Sequence, residues 1–145
     1  MVLFIMFKFS KRTEYALLAL NSFFDYPDST ITAKEVAEQQ KVSVPLLAKI
    51  LQLLKQYQVI HSVQGAKGGY RLSKKAADLS LADLIEIIDG PISVTECRKN
   101  ESRCERQSVC RLKSNFIPLQ QHFSDYLSQI TIYDFLYNEK MTKNE

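Results

Sequence analysis

Every cysteine of the chain, Cys97, Cys104 and Cys110, falls within the fourteen residues CRKNESRCERQSVC. An odd set of three thiols does not make a disulfide framework, so these read as metal ligands or reactive thiols in a reducing cytoplasm. Three is also one short of the usual four-ligand set. Between Cys97 and Lys113 lie Arg98, Lys99, Arg103, Arg106, Arg111 and Lys113 against Glu101 and Glu105. Nearby positive charge favours thiolate, the form that binds metal and also the form that oxidises. The residues alone leave three chemistries open: an iron-sulfur cluster, a structural zinc site and a thiol redox switch.

The elements that must position this loop are legible from spacing. Ser10 can cap a first helix carrying Ala16, Leu17, Leu20, Phe23 and Phe24, which Pro27 ends. Thr32 and Glu35 form a capping box for a short second helix, with Ile31 placed to staple onto Val36. Ser43 caps a third helix that tolerates Pro45 in its first turn and turns Leu46, Leu47, Ile50, Leu51 and Leu54 to one side. Only a few residues around Lys41 and Val42 separate these two helices, which predicts a helix-turn-helix. VIHSVQ and YRLS then read as strands around the glycine-rich GAKGG, a hairpin wing with Lys67 at its tip. A phosphate-cradling loop would need a helix where the strand-like YRL follows. Ser80 caps another helix, which Gly90 stops, and a long helix is expected from Leu112 with Phe116, Leu119, Phe123, Tyr126, Leu127 and Ile130 at helical spacing. Pro118 either kinks it or marks its start.

The expected fold is therefore mainly α with a small β-wing. A winged helix-turn-helix domain spans 6–90, the cysteine loop 91–111 and a dimerisation helix 112–137. With 145 residues and 46% hydrophobic content the chain suits one such domain plus an appended element. The opening MVLFIMF is too short for a membrane span and lacks the basic start and cleavage site of a signal peptide, so Met6 is the expected functional start. Residues 1–75 hold eleven Lys and Arg against five Asp and Glu, whereas 76–145 hold eight against eleven. The basic half is the one to meet a polyanion. No histidine, carboxylate and nucleophile stand at a catalytic spacing, so an enzyme is not expected.

These residues resemble the winged helix-turn-helix regulators of the IscR, NsrR and CymR type. The likeness runs from about Phe9 to Phe135, through YALLAL (15–20), VAEQQKVSVPLLAKIL (36–51), SVQGAKGGYRL (62–72), LADLIEIIDGP (81–91), the three cysteines and ITIYDFL (130–136). It implies a homodimeric regulator, expected to be a repressor, that binds a double-stranded DNA operator. The third helix would enter the major groove and the wing the neighbouring minor groove, with the long C-terminal helix crossing between subunits. It further implies a 2Fe-2S or 4Fe-4S cluster on Cys97, Cys104 and Cys110, sensing nitric oxide, redox state or iron-sulfur supply. Some members take a fourth ligand from an acidic residue of the partner's first helix, which falls at Glu14; others use a histidine where this chain has Lys113. The cysteine gaps are six and five residues, against five and five in the family pattern. Expected DNA contacts are Ser43, Lys49 and Gln52 on the third helix, Lys34 and Lys41 near it, and Gln64, Lys67 and Arg71 in the wing. Gln64 stands where relatives often carry arginine, and Ala48 where some carry a glutamate that tunes operator choice.

Overall fold

Helices begin where a short polar side chain can take the unpaired N–H groups of a first turn. In the computed structural model, which describes residues 8–95, 105–106 and 108–137, Ser10 does this for α1 (Lys11–Asp25), its hydroxyl accepting from the Thr13 N–H at 3.0 Å. Thr32 and Glu35 form the expected capping box at the head of α2 (Ala33–Gln40). Ser43 caps α3 (Val44–Gln56), with Pro45 in the first turn. A second box, Ser80 with Asp83, starts α4 (Leu81–Asp89). Cys97 and Cys104, with Arg98, Lys99, Glu101 and Arg103 between them, lie outside the described residues.

The chain forms two compact units that part between Ala76 and Ala77. In the first, α1, α2 and α3 pack on one another. Ala16, Leu20 and Phe23 of α1, Val36 of α2, and Leu47, Ile50, Leu51 and Leu54 of α3 are buried. Leu46, expected in that core, is only half-buried at the first turn of α3. The hairpin pairs β1 (Ile60–Val63) antiparallel to β2 (Gly69–Leu72), Ile60 opposite Leu72 and Val63 opposite Gly69.

The hairpin is tied to the helix-turn-helix by the residue just before the cap of α2. Ile31 donates its N–H to the Tyr70 carbonyl at 2.9 Å and accepts the Tyr70 N–H at 2.8 Å. Its side chain is buried, as is that of Val36, so the position expected to staple α2 also holds the wing. The close approach explains a glycine: a Cβ on Gly69 would stand 2.7 Å from the Ile31 carbonyl oxygen and 2.9 Å from its carbon. Both atoms belong to backbone that cannot swing aside.

The second unit holds α4, α5 (Leu112–Ser128) and α6 (Ile132–Tyr137). One expectation changes here: the single helix expected over 112–137 is two. By its contacts α4 groups with this unit. The break comes from a pairing distant in sequence, because the backbone at 130–132 is hydrogen-bonded to the segment leading into α4. Leu81 donates its N–H to the Ile130 carbonyl and Ile132 donates to Leu79, each at 2.8 Å. Thr131, between them, then caps α6 by accepting the Asp134 N–H at 3.0 Å. Pro118 lies inside α5, not at its start.

Gly69→Ala should break the Ile31–Tyr70 pair, two backbone hydrogen bonds at about 1 kcal/mol each plus the strain of the displaced strand. Denaturant unfolding is expected to show a lowered midpoint, with roughly 1–3 kcal/mol lost; an unchanged midpoint would contradict the close approach.

Candidate nucleic-acid interface and cysteine loop

The burial of Leu47, Ile50, Leu51 and Leu54 decides which side of α3 meets solvent. Lys49, Gln52 and Gln56 fall on the opposite side and are exposed. At the head of the helix the Ser43 hydroxyl accepts the Leu46 N–H at a long 3.4 Å and retains its own O–H as a donor. The turn before it is made by Lys41, whose φ of 55° and ψ of 42° put it in the left-handed region. That conformation costs a non-glycine residue about 1 kcal/mol. It is held by the Val42 N–H, which reaches back to the Ala37 carbonyl at 3.0 Å. Lys41 therefore makes the turn and presents an exposed cation beside the head of α3.

In the wing, the Gly68 N–H donates to the Gly65 carbonyl at 2.9 Å, which leaves Ala66 and Lys67 as the central residues of the turn. Gln64, Lys67 and Arg71 are exposed, Arg71 pairing in register with His61. Lys34 stands 3.8 Å from Glu38, with both side chains largely in water; such a pair is worth little and yields readily to a phosphate. All eight candidate contacts, Lys34, Lys41, Ser43, Lys49, Gln52, Gln64, Lys67 and Arg71, thus lie in the first unit, seven of them exposed without an ion pair shown and the eighth, Lys34, in a weak one.

Of the candidate metal ligands the structure describes two, in different units. Glu14 sits in the first turn of α1, half-exposed, where it receives the Lys11 ammonium and complements the helix dipole. That hydrogen bond raises the Lys11 pKa above its ordinary value. Cys110 is a half-exposed free thiol two residues before α5. The residue at the cap position of α5, Arg111, makes no side-chain cap, and its first turn carries no acid. Cys110 therefore stands at a positive helix end, between Arg111 and Lys113 on one side and Arg106 on the other. A cysteine sulfur there and a half-exposed carboxylate that meets a surface lysine are donors of the kind an iron-sulfur cluster takes. Among the described residues, which do not include Cys97 or Cys104, no three His, Cys, Asp or Glu side chains gather as for a metal.

One residue of the loop's surroundings escaped the sequence reading. Gln120 of α5 is 8% exposed. Its Oε1 accepts the Val94 N–H at 2.8 Å, and its Nε2 donates to the Ile92 carbonyl at 2.8 Å and the Ser124 hydroxyl at 3.1 Å. The signal was present: Gln120 falls four residues after Phe116, three before Phe123 and seven before Leu127, on the inward stripe of the helix.

Residues 9–138 match the model of the Rrf2 family, described as iron-dependent transcriptional regulators. The chain belongs to the Rrf2 family. Among its relatives, IscR of Pectobacterium atrosepticum, an HTH-type transcriptional regulator, is 26% identical over 138 residues, 94% of this chain and 83% of that one. Among solved structures, T. potens IscR superposes with a TM-score of 0.70 at 22% identity, covering 96% of this chain and 93% of that one. The oxidized form of Staphylococcus aureus CymR gives 0.64 at 28% identity, covering 87% and 93%. The winged-helix fold of this Rrf2 chain and its standing as a transcriptional regulator follow. Among the described residues no helix is long and apolar enough to cross a membrane.

The head of α2 in this Rrf2 protein should be acid-sensitive. The Thr32 N–H and hydroxyl hold the Glu35 carboxyl below the ordinary glutamate value. A carboxyl lowered on folding stabilises above its unfolded pKa and loses that contribution as pH falls through its folded value. Between about pH 5 and pH 3, thermal melting of the wild type is expected to drop further than that of Glu35→Gln, whose amide keeps the box without titrating; parallel curves would contradict this.

Proposed function

We propose that this protein is a homodimeric, DNA-binding repressor whose affinity for its operator is set by an iron-sulfur cluster on Cys97, Cys104 and Cys110, with Glu14 of the partner subunit as fourth ligand. The observation that carries the DNA half is the exposed face of α3, where Lys49 and Gln52 stand opposite four buried core residues beside the Ser43 cap. In a winged helix that face enters the major groove, while Lys34, Lys41, Lys67 and Arg71 take phosphates, and Gln64 reaches toward the minor groove. Such a protein works in the cytoplasm, beside its DNA.

Support for the dimer comes from α5. Leu112, Leu119 and Tyr126 recur every seven residues and are 59%, 55% and 57% exposed. A heptad stripe that long, left in water, suits the same stripe of a second copy. Residues 112–137 would then be the dimerisation element and 91–111 the sensing loop. A cluster ligated by a carboxylate from across the dimer ties metal retention to subunit geometry, because oxygen is displaced more easily than thiolate. When bound, the cluster supplies a site that nitric oxide, oxidants or iron shortage can alter. Arg111, Lys113 and the start of α5 would supply positive charge beside it.

A second reading keeps the regulator and drops the cluster. Cys110 is an exposed enough thiol to oxidise, and a CymR structure exists in an oxidized form; a thiol switch, or a zinc site on the same loop, would use these residues.

Two outcomes are expected. Lys49→Ala should weaken binding of all duplexes and lower the salt slope of affinity by about one. Gln52→Ala should instead change preference among sequences at constant slope; no effect of either would remove α3 as the reader. Anaerobic reconstitution should give iron and sulfide in equal amounts with charge-transfer absorption, and Glu14→Ala should shorten the cluster's lifetime about tenfold or more. Iron-free, colourless protein would favour the thiol or zinc reading, and an unchanged lifetime would eliminate Glu14.

A further inference from the structure

The cysteine loop leaves one element and rejoins another, and the structure shows what fixes its two ends. At the exit, Cys110 is two residues from the start of α5. At the entry, residues 92–94 are held on the same helix by Gln120. Its carboxamide accepts the Val94 N–H and donates to the Ile92 carbonyl, the two backbone groups that flank Ser93, as a peptide group of a neighbouring strand would. The second amide hydrogen goes to Ser124 on the next turn, which fixes the side chain's orientation. Each polar atom of this buried amide is used, so both senses of the pairing, acceptor and donor, are required.

We propose that Gln120 is a positioning residue for the cysteine loop, holding its entry arm at Ile92–Val94 in fixed register with α5, the helix that begins two residues after Cys110. This rests on the reading of the loop as a cluster site, and it adds a residue that touches no ligand. A loop of this length closes on a metal at an entropic cost that falls when its ends are already fixed. Side chains that orient ligands in this way typically change metal affinity ten- to a hundredfold when removed. Leucine at 120 would match the apolar stripe and keep the helix, yet would leave the Val94 N–H and Ile92 carbonyl without their partner. Glutamate would keep the acceptor toward Val94 and set a second acceptor against the Ile92 carbonyl.

The experiment uses the full chain as wild type, Gln120→Leu, Gln120→Glu and, as a control, Leu127→Ala, which trims packing of the same helix without touching the loop's partners. Two properties are read: binding of phenylarsine oxide, a dithiol-capturing probe, to the reduced apoprotein, and loss of the reconstituted cluster to a chelator. Both Gln120 variants should bind the arsenical about tenfold more weakly and lose the cluster about tenfold faster, with Leu127→Ala near wild type on both counts. Should Gln120→Leu fail to fold, Gln120→Glu carries the same expectation. Wild-type behaviour of the Gln120 variants, or an equal loss in Leu127→Ala, would overturn the proposal. If even the wild type takes up no iron and sulfide, the cluster reading fails, and the arsenical result alone decides whether Gln120 positions the thiols.

Discussion

Leu47, Ile50, Leu51 and Leu54 lose nearly all contact with water on one side of α3, and the rest of the winged unit depends on that burial. Each such side chain is worth about 1.5–3 kcal/mol when removed from water, far more than any exposed ion pair in this chain can supply. The helix consequently has one rotation about its axis, and that rotation turns Lys49 and Gln52 outward. Ser43 fixes where the helix starts, and Lys41 accepts a left-handed backbone to set its angle to α2. The wing joins the same frame through Ile31 and Tyr70, so reader and wing move as neighbours of one strand-like contact, not as independent appendages.

The second unit follows a different logic, in which backbone pairing takes the place of a large core. Leu79 and Leu81 pair with 130–132, and Ile92 and Val94 pair with the side chain of Gln120. Both contacts bind segments that would otherwise be loop. Around them the exposed heptad of α5 leaves much apolar surface in water for one protomer. In the proposed dimer that surface is where a second copy would pack, and the clamp on Ile92 and Val94 ties the start of the cysteine loop to α5.

Much of this was legible in the sequence, where local chemistry was decisive. Ser10, the Thr32–Glu35 box, Ser43 and the Ser80–Asp83 box each placed a helix start, and GAKGG placed the hairpin tip, because capping and turn residues act within four positions. What escaped were long-range pairings. The break at 129–131 depends on the segment before α4, fifty residues away in sequence, and no periodicity in ITIYDFL announces it. Gln120 carried no expectation, although its place on the stripe of Phe116 and Phe123 marked it as inward. Gly69 was read as turn chemistry, whereas the backbone of Ile31 is what excludes a side chain there. The reading of Lys49, Gln52 and the wing cations rests on exposure and fold, and that of Cys97 and Cys104 on their chemistry in the sequence.

The central claim is that the state of the cysteine loop sets how tightly the reading face holds DNA. The most direct measurement is the affinity of cluster-loaded and cluster-free protein for one selected duplex, taken under anaerobic conditions at several salt concentrations. The account predicts affinities that differ about tenfold or more while both forms keep a steep, negative dependence on salt. Equal affinities of the loaded and cluster-free forms would contradict it.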